Sequence, residues 1–366
     1  MVRALGTGEP AVSLQLSLAS TERALSRPAH NARQGWSTRA ACVITLTGDD
    51  GGTGSGEASP LPGFSLETLS DCQAVLGAVD AKTLPKQLAP GQSLLEGLEG
   101  ATRGLPKGVP AARSALECAL LDLWARAAGK PAWDLIRAPN QGAPTALRVA
   151  ALLQGEPEEA CEQAQAAHAR GVRCFKFKIG RAGALERELI AVRRLRATLG
   201  PQVQLRLDAN QSLSAEQARV QLPRFAPYDI EYIEEPCTTD ELTRLGSLAL
   251  PVALDESLRA HSPFGSLPGV RALVLKPALL GGISACIAWA EAARRSGAEI
   301  ILSHTFDGPL GLMLSAALAL GIGSDASAHG LDLHGARLEA AHLPGFLGAR
   351  LQAWSEPGFG IAEPAT

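Results

Sequence analysis

Beyond residue 130 the sequence repeats one arrangement: a short apolar run, a stretch with helical spacing, then another short run. Such runs cover residues 147–153, 174–180, 204–210, 230–236, 251–257, 272–277 and 299–305, with a weaker one at 330–334. Strands alternating with helices bury both faces of a parallel sheet, so eight strands, each but the last followed by a helical segment, predict an α/β fold closed into a barrel of the TIM type. A doubly wound open sheet is the competitor. It normally carries a glycine-rich first turn, and no G-x-G-x-x-G follows any of these runs; Gly281-Gly282 is only a weak anion-loop signal.

The first third of the chain reads differently. Residues 11–19 and 40–47 look like strands, and the polar segment between them, with Arg23, Arg27, Pro28, His30, Arg33 and Trp36, has no regular period and reads as a loop. The breakers in Ser59-Pro60-Leu61-Pro62-Gly63-Phe64 mark a turn, after which Ser65 is a candidate N-cap. Residues 111–128 carry helical spacing and stop at Gly129-Lys130-Pro131, a natural boundary. With 366 residues, two domains are expected.

Charge narrows the partners. Lys+Arg 34 against Asp+Glu 37 gives a net charge of -3, which argues against nucleic acid and against an acidic membrane surface and favours a small molecule. Cysteines at 42, 72, 118, 161, 174, 237 and 286 form no C-x-x-C pair and read as reduced thiols of a cytoplasmic protein. Breakers interrupt residues 1–20, so no secretion signal is read there, and the uncharged run 308–324 is too short and glycine-rich to span a bilayer and reads as a buried helix.

The strand ends carry the chemistry. Lys176 and Lys178 end the second strand, Asp208 and Asn210 the third, Glu234 and Glu235 the fourth, Asp255 and Glu256 the fifth and Lys276 the sixth, at intervals of 21 to 30 residues. Alone, Lys176-Phe177-Lys178 would read as a surface strand; five charged strand ends in succession would not, because active sites of such barrels gather at that face. Converging carboxylates repel unless neutralised. All-oxygen ligation suits Mg²⁺, or Mn²⁺ in its place. A lysine beside a dication can act as a general base, so the expected reaction is abstraction of a proton α to a carboxylate, with the cation stabilising the enediolate. A different class, a Schiff-base lyase using Lys276, fits a desolvated lysine in a barrel. His304, His329 and His334 read as core or rim residues.

Lys176-Phe-Lys178, Asp208-Ala-Asn210, Glu234-Glu235-Pro236, Asp255-Glu256-Ser257 and Lys276-Pro277 together resemble the enolase superfamily in its muconate-lactonising subgroup. The resemblance spans almost the whole chain. It implies an α+β capping domain over residues 1–115, a modified (β/α)7β barrel over 116–335, and a C-terminal segment, 336–366, returning to the cap. It implies Asp208, Glu234 and Asp255 as metal ligands and Lys178 and Lys276 as catalytic lysines. Lys176, Asn210, Glu235 and Glu256 would support them, Lys176 by like-charge proximity to Lys178. Substrate choice would lie in cap loops at about 20–36 and 57–65.

The segment Ser59 to Ser65 (with Pro62, Gly63 and Phe64), Glu67-Thr68, Arg206, Val274 to Leu279, Ser303 and Leu331-Asp332-Leu333 resemble the o-succinylbenzoate synthases of that subgroup. This implies dehydration in menaquinone biosynthesis, with Arg206, Ser303, Pro62, Gly63 and Phe64 at the substrate. Dipeptide epimerases of the subgroup show Asp-x-Asp on the eighth strand, where this chain has Asp332-Leu333-His334, which argues against a dipeptide. The segment 303–308 also departs from the serine-rich spelling of some synthases, which keeps an N-acylamino acid racemase as the alternative. A homo-oligomer is left open.

Overall fold

The computed structural model describes residues 13–30, 34–138, 142, 146–245, 248–263, 269–333 and 343–361. Strands β1 (Leu14–His30) and β2 (Gly35–Gly48) form a long antiparallel hairpin, and β3 (Thr53–Ala58) pairs with β2. The segment expected to be a loop is therefore mostly strand, with a register shift between Ala24 and Ala29. Its pattern misled because only the inner half of β2, from Arg39 onward, alternates buried with less buried residues. The outer half stands off the core, and nothing selects apolar residues there.

Helices α1 (Leu69–Gly77), α2 (Leu94–Thr102), α3 (Pro110–Ala127) and α4 (Ala132–Ile136) follow. The N-cap of α1 is Thr68, which shares a capping box with Asp71. Ser65 does not cap it; its Oγ accepts from Leu61 N at 2.9 Å and closes the preceding turn. Helix α3 lies against β3, and Gly54 and Gly56 allow this: a Cβ at either would collide with the α3 backbone. The same helix packs on the barrel side against α9, defined below, so the expected cut at 115 falls inside a shared element.

The barrel runs β4 (Ala146–Val149), β5 (Ala151–Leu153), α5 (Pro157–Ala169), β6 (Cys174–Lys178), α6 (Leu185–Leu199), β7 (Gln204–Asp208), α7 (Ala215–Gln221), β8 (Ile230–Glu234), α8 (Thr239–Leu245), β9 (Val252–Leu254), β10 (Val270–Leu275), α9 (Pro277–Leu280), α10 (Ile283–Ser296), β11 (Glu299–Leu302), α11 (Pro309–Ile322) and β12 (Ala328–His329). Strands β5 to β11 form one parallel sheet in chain order. Parallel pairing of β12 with β4, a bridge between Ser303 and Gly330, and Ala150 N donating to His329 O at 2.8 Å close it.

Three expectations change in detail: the first strand breaks at Ala150, β9 leads into a four-residue 3₁₀ turn, Glu256–Arg259, rather than directly into an α-helix, and the eighth strand lies at Ala328–His329 rather than 330–334, with Gly330 making only a single bridge. The apolar run 308–324 is the buried α11, as expected. The hairpin β13 (Phe346–Leu347) and β14 (Arg350–Gln352) joins β4, and the chain then reaches α3 and α4, where Ala132 N donates to Gly358 O at 2.8 Å and Phe359 N to Asp122 Oδ1 at 3.0 Å. Among the described residues no helix is long and apolar enough to cross a membrane.

Candidate active site

Strand alternation sets the site. On β6, Phe175 and Phe177 point outward into a cluster with Ala160 and Ala164 of α5 and Val192 and Leu195 of α6, which leaves Lys176 and Lys178 facing the barrel axis. Register places Lys178 beside Asp208 and Asp208 beside Glu234, so three functional side chains stand at one height on neighbouring strands. Asp255 and Lys276 follow the last residues of β9 and β10. Lys176, Lys178, Asp208, Asn210, Glu234 and Lys276 line one cavity at the barrel mouth.

Each carboxylate meets an ammonium group. Lys178 Nζ donates to Asp208 Oδ2 at 3.1 Å and to Asn210 Oδ1 at 2.6 Å. Lys176 Nζ lies 3.0 Å from both oxygens of Glu234 and 3.2 Å from Asp208 Oδ2, so the two lysines share that oxygen. Lys276 Nζ donates to Asp255 Oδ2. Burial opposes the charged form of Lys176, yet Asp208, Glu234 and Asp255 outweigh it and hold the ammonium well above the ordinary lysine range. Lys276 is likewise raised, against burial, chiefly by Asp255 and Glu234. Burial would raise Asp208, but Lys176, Lys178 and Lys276 hold it below the usual carboxylate range.

Glu235 does not face the cavity. Its Oε1 accepts from Asp255 N at 2.7 Å and Ser257 N at 2.8 Å, and its Oε2 from Ser257 Oγ and Gln211 Nε2, so it braces the turn that carries Asp255. Glu256 Oε1 accepts from Asn210 Nδ2 at 3.1 Å, linking the ends of β7 and β9. Burial, the dominant cause in each, pushes Glu234, Glu235 and Glu256 up to about 7.

The remaining sequence candidates divide. Phe64 lines the cavity with its ring 5.4 Å from Lys276 Nζ, and Ser303 lines it with its Oγ donating to Gly330 O at 3.2 Å. Pro62 and Gly63 act through the loop: Pro62 O accepts from Gln34 Nε2 and Trp36 Nε1, and Gly63 has a φ of 73°. Arg206 reaches the cavity from one layer deeper, donating to Glu231 Oε2 and Ala328 O at 2.6 Å each.

His329 is core, as expected, and His334 lies outside the described residues. His304 lines the cavity as a rim residue: Asp307 N donates to its Nδ1, so Nε2 carries the proton shared with Asp332 O. Burial holds its pKa below the ordinary histidine range. Phe306, Arg39 and Arg259, whose Nη1 donates to Phe64 O at 2.9 Å, were not singled out in the sequence. Phe306 sits in a short polar segment directly after a strand end, a signal that would have found it; the two arginines carry none.

The donor set fits a hard divalent cation. Five buried carboxylates, Asp208, Glu234, Glu235, Asp255 and Glu256, face three lysines, Lys176, Lys178 and Lys276, and Glu256 Oε2 is buried with no hydrogen-bond partner. Ionised together they exceed the lysines by two negative charges. Among the described residues no three such side chains converge tightly enough to enclose an ion as they stand: Asp208, Glu234 and Asp255 are turned onto lysines, Glu235 onto the turn at Ser257, and Glu256 onto Asn210.

Comparison with known proteins agrees with the fold. The model of the mandelate racemase / muconate lactonizing enzyme N-terminal domain matches residues 14–137, and the enolase C-terminal domain-like model matches residues 159–363. This chain belongs to the enolase superfamily, in the branch that holds the mandelate racemases and muconate lactonizing enzymes. The o-succinylbenzoate synthase of Klebsiella pneumoniae (strain 342) is 33% identical over 292 residues, covering 77% of this chain and 79% of that protein. That of Desulfotalea psychrophila is 28% identical over 334 residues, covering 82% and 88%. Among solved structures, the L-Ala-D/L-Glu epimerase from Bacillus subtilis superposes with a TM-score of 0.84 at 22% identity, over 97% of this chain and 99% of the other. The muconate lactonizing enzyme from Pseudomonas fluorescens does so with 0.82 at 23%, over 96% and 97%; at such identities the likeness is one of fold.

Proposed function

We propose that this protein is an o-succinylbenzoate synthase, a hydro-lyase that dehydrates 2-succinyl-6-hydroxy-2,4-cyclohexadiene-1-carboxylate in menaquinone biosynthesis. One observation carries the reading: a single cavity presents Lys178 held on Asp208 and Lys276 held on Asp255, with Glu234 beside Asp208. The similarity to synthases in sequence supports the choice of substrate. So do the apolar walls from Leu61, Phe64, Leu152, Val274 and Ile301, which suit a carbocycle.

Asp208, Glu234 and Asp255 would hold Mg²⁺. When bound, it supplies positive charge for the substrate carboxylate and for the negative charge that develops on it. Lys178 Nζ receives the α-proton, and the same nitrogen returns it to the departing hydroxyl, so one water leaves and no proton is left over. Lys276, whose ammonium form is favoured by Asp255, stays charged and supports the developing anion. That charge also weighs against Lys276 as the amine nucleophile of a Schiff-base lyase. Asp332 Oδ2 accepts from Leu152 N at 3.1 Å, so its carboxylate is engaged with backbone, which disfavours a substrate ammonium there.

The test is turnover of the cyclohexadiene acid by the purified protein. Chelation abolishes activity, Mg²⁺ restores it, and Lys178→Ala lowers kcat by about 10³-fold or more. Full activity after chelation, covalent trapping by borohydride, or faster deuterium exchange and inversion of an N-acylamino acid in D₂O than dehydration would each overturn the assignment, the last in favour of a racemase.

A further inference from the structure

Arg23 and Arg39 stand directly opposite each other in the β1–β2 register. Like charges in that position repel and normally cost stability. Both nevertheless aim at one acceptor: Arg23 Nη2 donates to Phe306 O at 2.6 Å and Arg39 Nε to the same oxygen at 3.4 Å. Phe306 has a φ of 56°, a left-handed conformation that a bulky residue adopts only when its surroundings impose it.

The other nitrogens of Arg39 turn to a different loop. Nη1 donates to Pro60 O at 2.9 Å, and Nη2 donates to Ser59 O and, at 2.7 Å, to Ser59 Oγ. The side chain is fully buried, so these bonds rather than solvation hold the charge. Glu57 and Asp307 complete the cluster: Glu57 Oε1 accepts from Gly308 N at 2.6 Å and lies 3.7 Å from Arg23 Nη1, and Asp307 Oδ1 lies 3.6 Å from Arg39 Nη2. The two loops so joined both line the cavity, Leu61 and Phe64 on one and Thr305 and Phe306 on the other.

We infer that Arg39 is a positioning residue that ties the cap loop 59–65 to the barrel loop 304–308 and so sets the width of the substrate cavity, with Arg23 fastening the barrel loop alone. The inference rests on the proposed function only in taking that cavity as the substrate's. A planar fork with several donors suits this task as a lysine cannot.

The experiment is backbone hydrogen–deuterium exchange of the full-length protein, read at 59–65 and 304–308, together with steady-state kinetics on the cyclohexadiene acid. Arg39→Met is expected to speed exchange about tenfold in both segments, and Arg23→Met in 304–308 only. In Arg39→Met, KM rises about tenfold while kcat changes by less than about threefold, because the lysines and acids are untouched. Unchanged exchange in either segment of Arg39→Met, equal loosening of 59–65 in Arg23→Met, or a fall in kcat at constant KM overturns the inference. If Arg39→Met fails to fold by circular dichroism, Arg39→Lys is read by the same criteria. If the wild type does not turn over the acid, the proposed function falls and the exchange pattern still decides the clasp.

Discussion

Replacing Lys276 by methionine tests the electrostatics of the site at one point. The side chain is 10% exposed and that of its partner Asp255 2%, so the substitution keeps the volume and strands a buried carboxylate. Breaking a buried pair from one side costs about 3–5 kcal/mol, whereas removing both charges is often neutral. Lys276→Met in chelator at pH 7.5 is therefore expected to lose that amount in urea unfolding followed by circular dichroism, and Lys276→Met with Asp255→Leu to recover most of it. Turnover falls by about 10³-fold or more in both, since the ammonium facing the developing anion is gone. Asp255 already ionises above the usual range because of burial. The folded state of the variant therefore takes up a proton more readily than the unfolded chain, and the penalty shrinks as pH falls towards 5. A cost below about 1 kcal/mol at pH 7.5, or one that does not depend on pH, would refute the picture of a stranded charge.

Two further outcomes follow from the same cluster. Glu234, Glu235 and Glu256 ionise near 4.5 when free and at about 7 in the fold. Their stabilising contribution is complete below pH 4.5 and is lost as pH rises through about 7. The chelated protein is thus expected to unfold at lower urea at pH 8 than at pH 5.5, with Mg²⁺ narrowing the gap; a chelated protein more stable at pH 8 would contradict the assignment. Glu235→Gln turns an amide nitrogen onto donors at Ser257 or Asp255 and is expected to cost about 2–3 kcal/mol. It also lowers kcat about 10–100-fold by shifting Asp255, and unchanged kcat in the folded variant would show that the brace does not position the acid.

The barrel was legible because its strands are buried on both faces and five in succession end in a residue that a core would not otherwise accept; for Lys178, Asp208 and Glu234 the strand period set the face and the pairing register set the height. The hairpin 14–48 was half hidden, because its outer half contacts little that is apolar and any alternation there has no driving force. Ser65 and Thr68 are equivalent as caps on paper; Asp71, three residues after Thr68, was the sign that decided between them. The opposite fates of Glu234 and Glu235 follow from the strand end between them: Glu234 closes β8, and Glu235, with a φ of 42°, turns away from it. Arg39 was invisible: nothing in a strand's own spelling marks an arginine whose partners lie 20 and 267 residues away.

Asp122 has a consequence of another kind. Its carboxylate accepts from Ser55 N of the cap at 3.1 Å and from Phe359 N at 3.0 Å, and Arg126 of the same helix closes over it. During synthesis Ser55 and Asp122 leave the ribosome long before Phe359 exists, so this buried acid waits with one of its donors missing. The seam that Asp122 makes between the cap and the segment at Phe359 is thus sealed only once that later segment has been made.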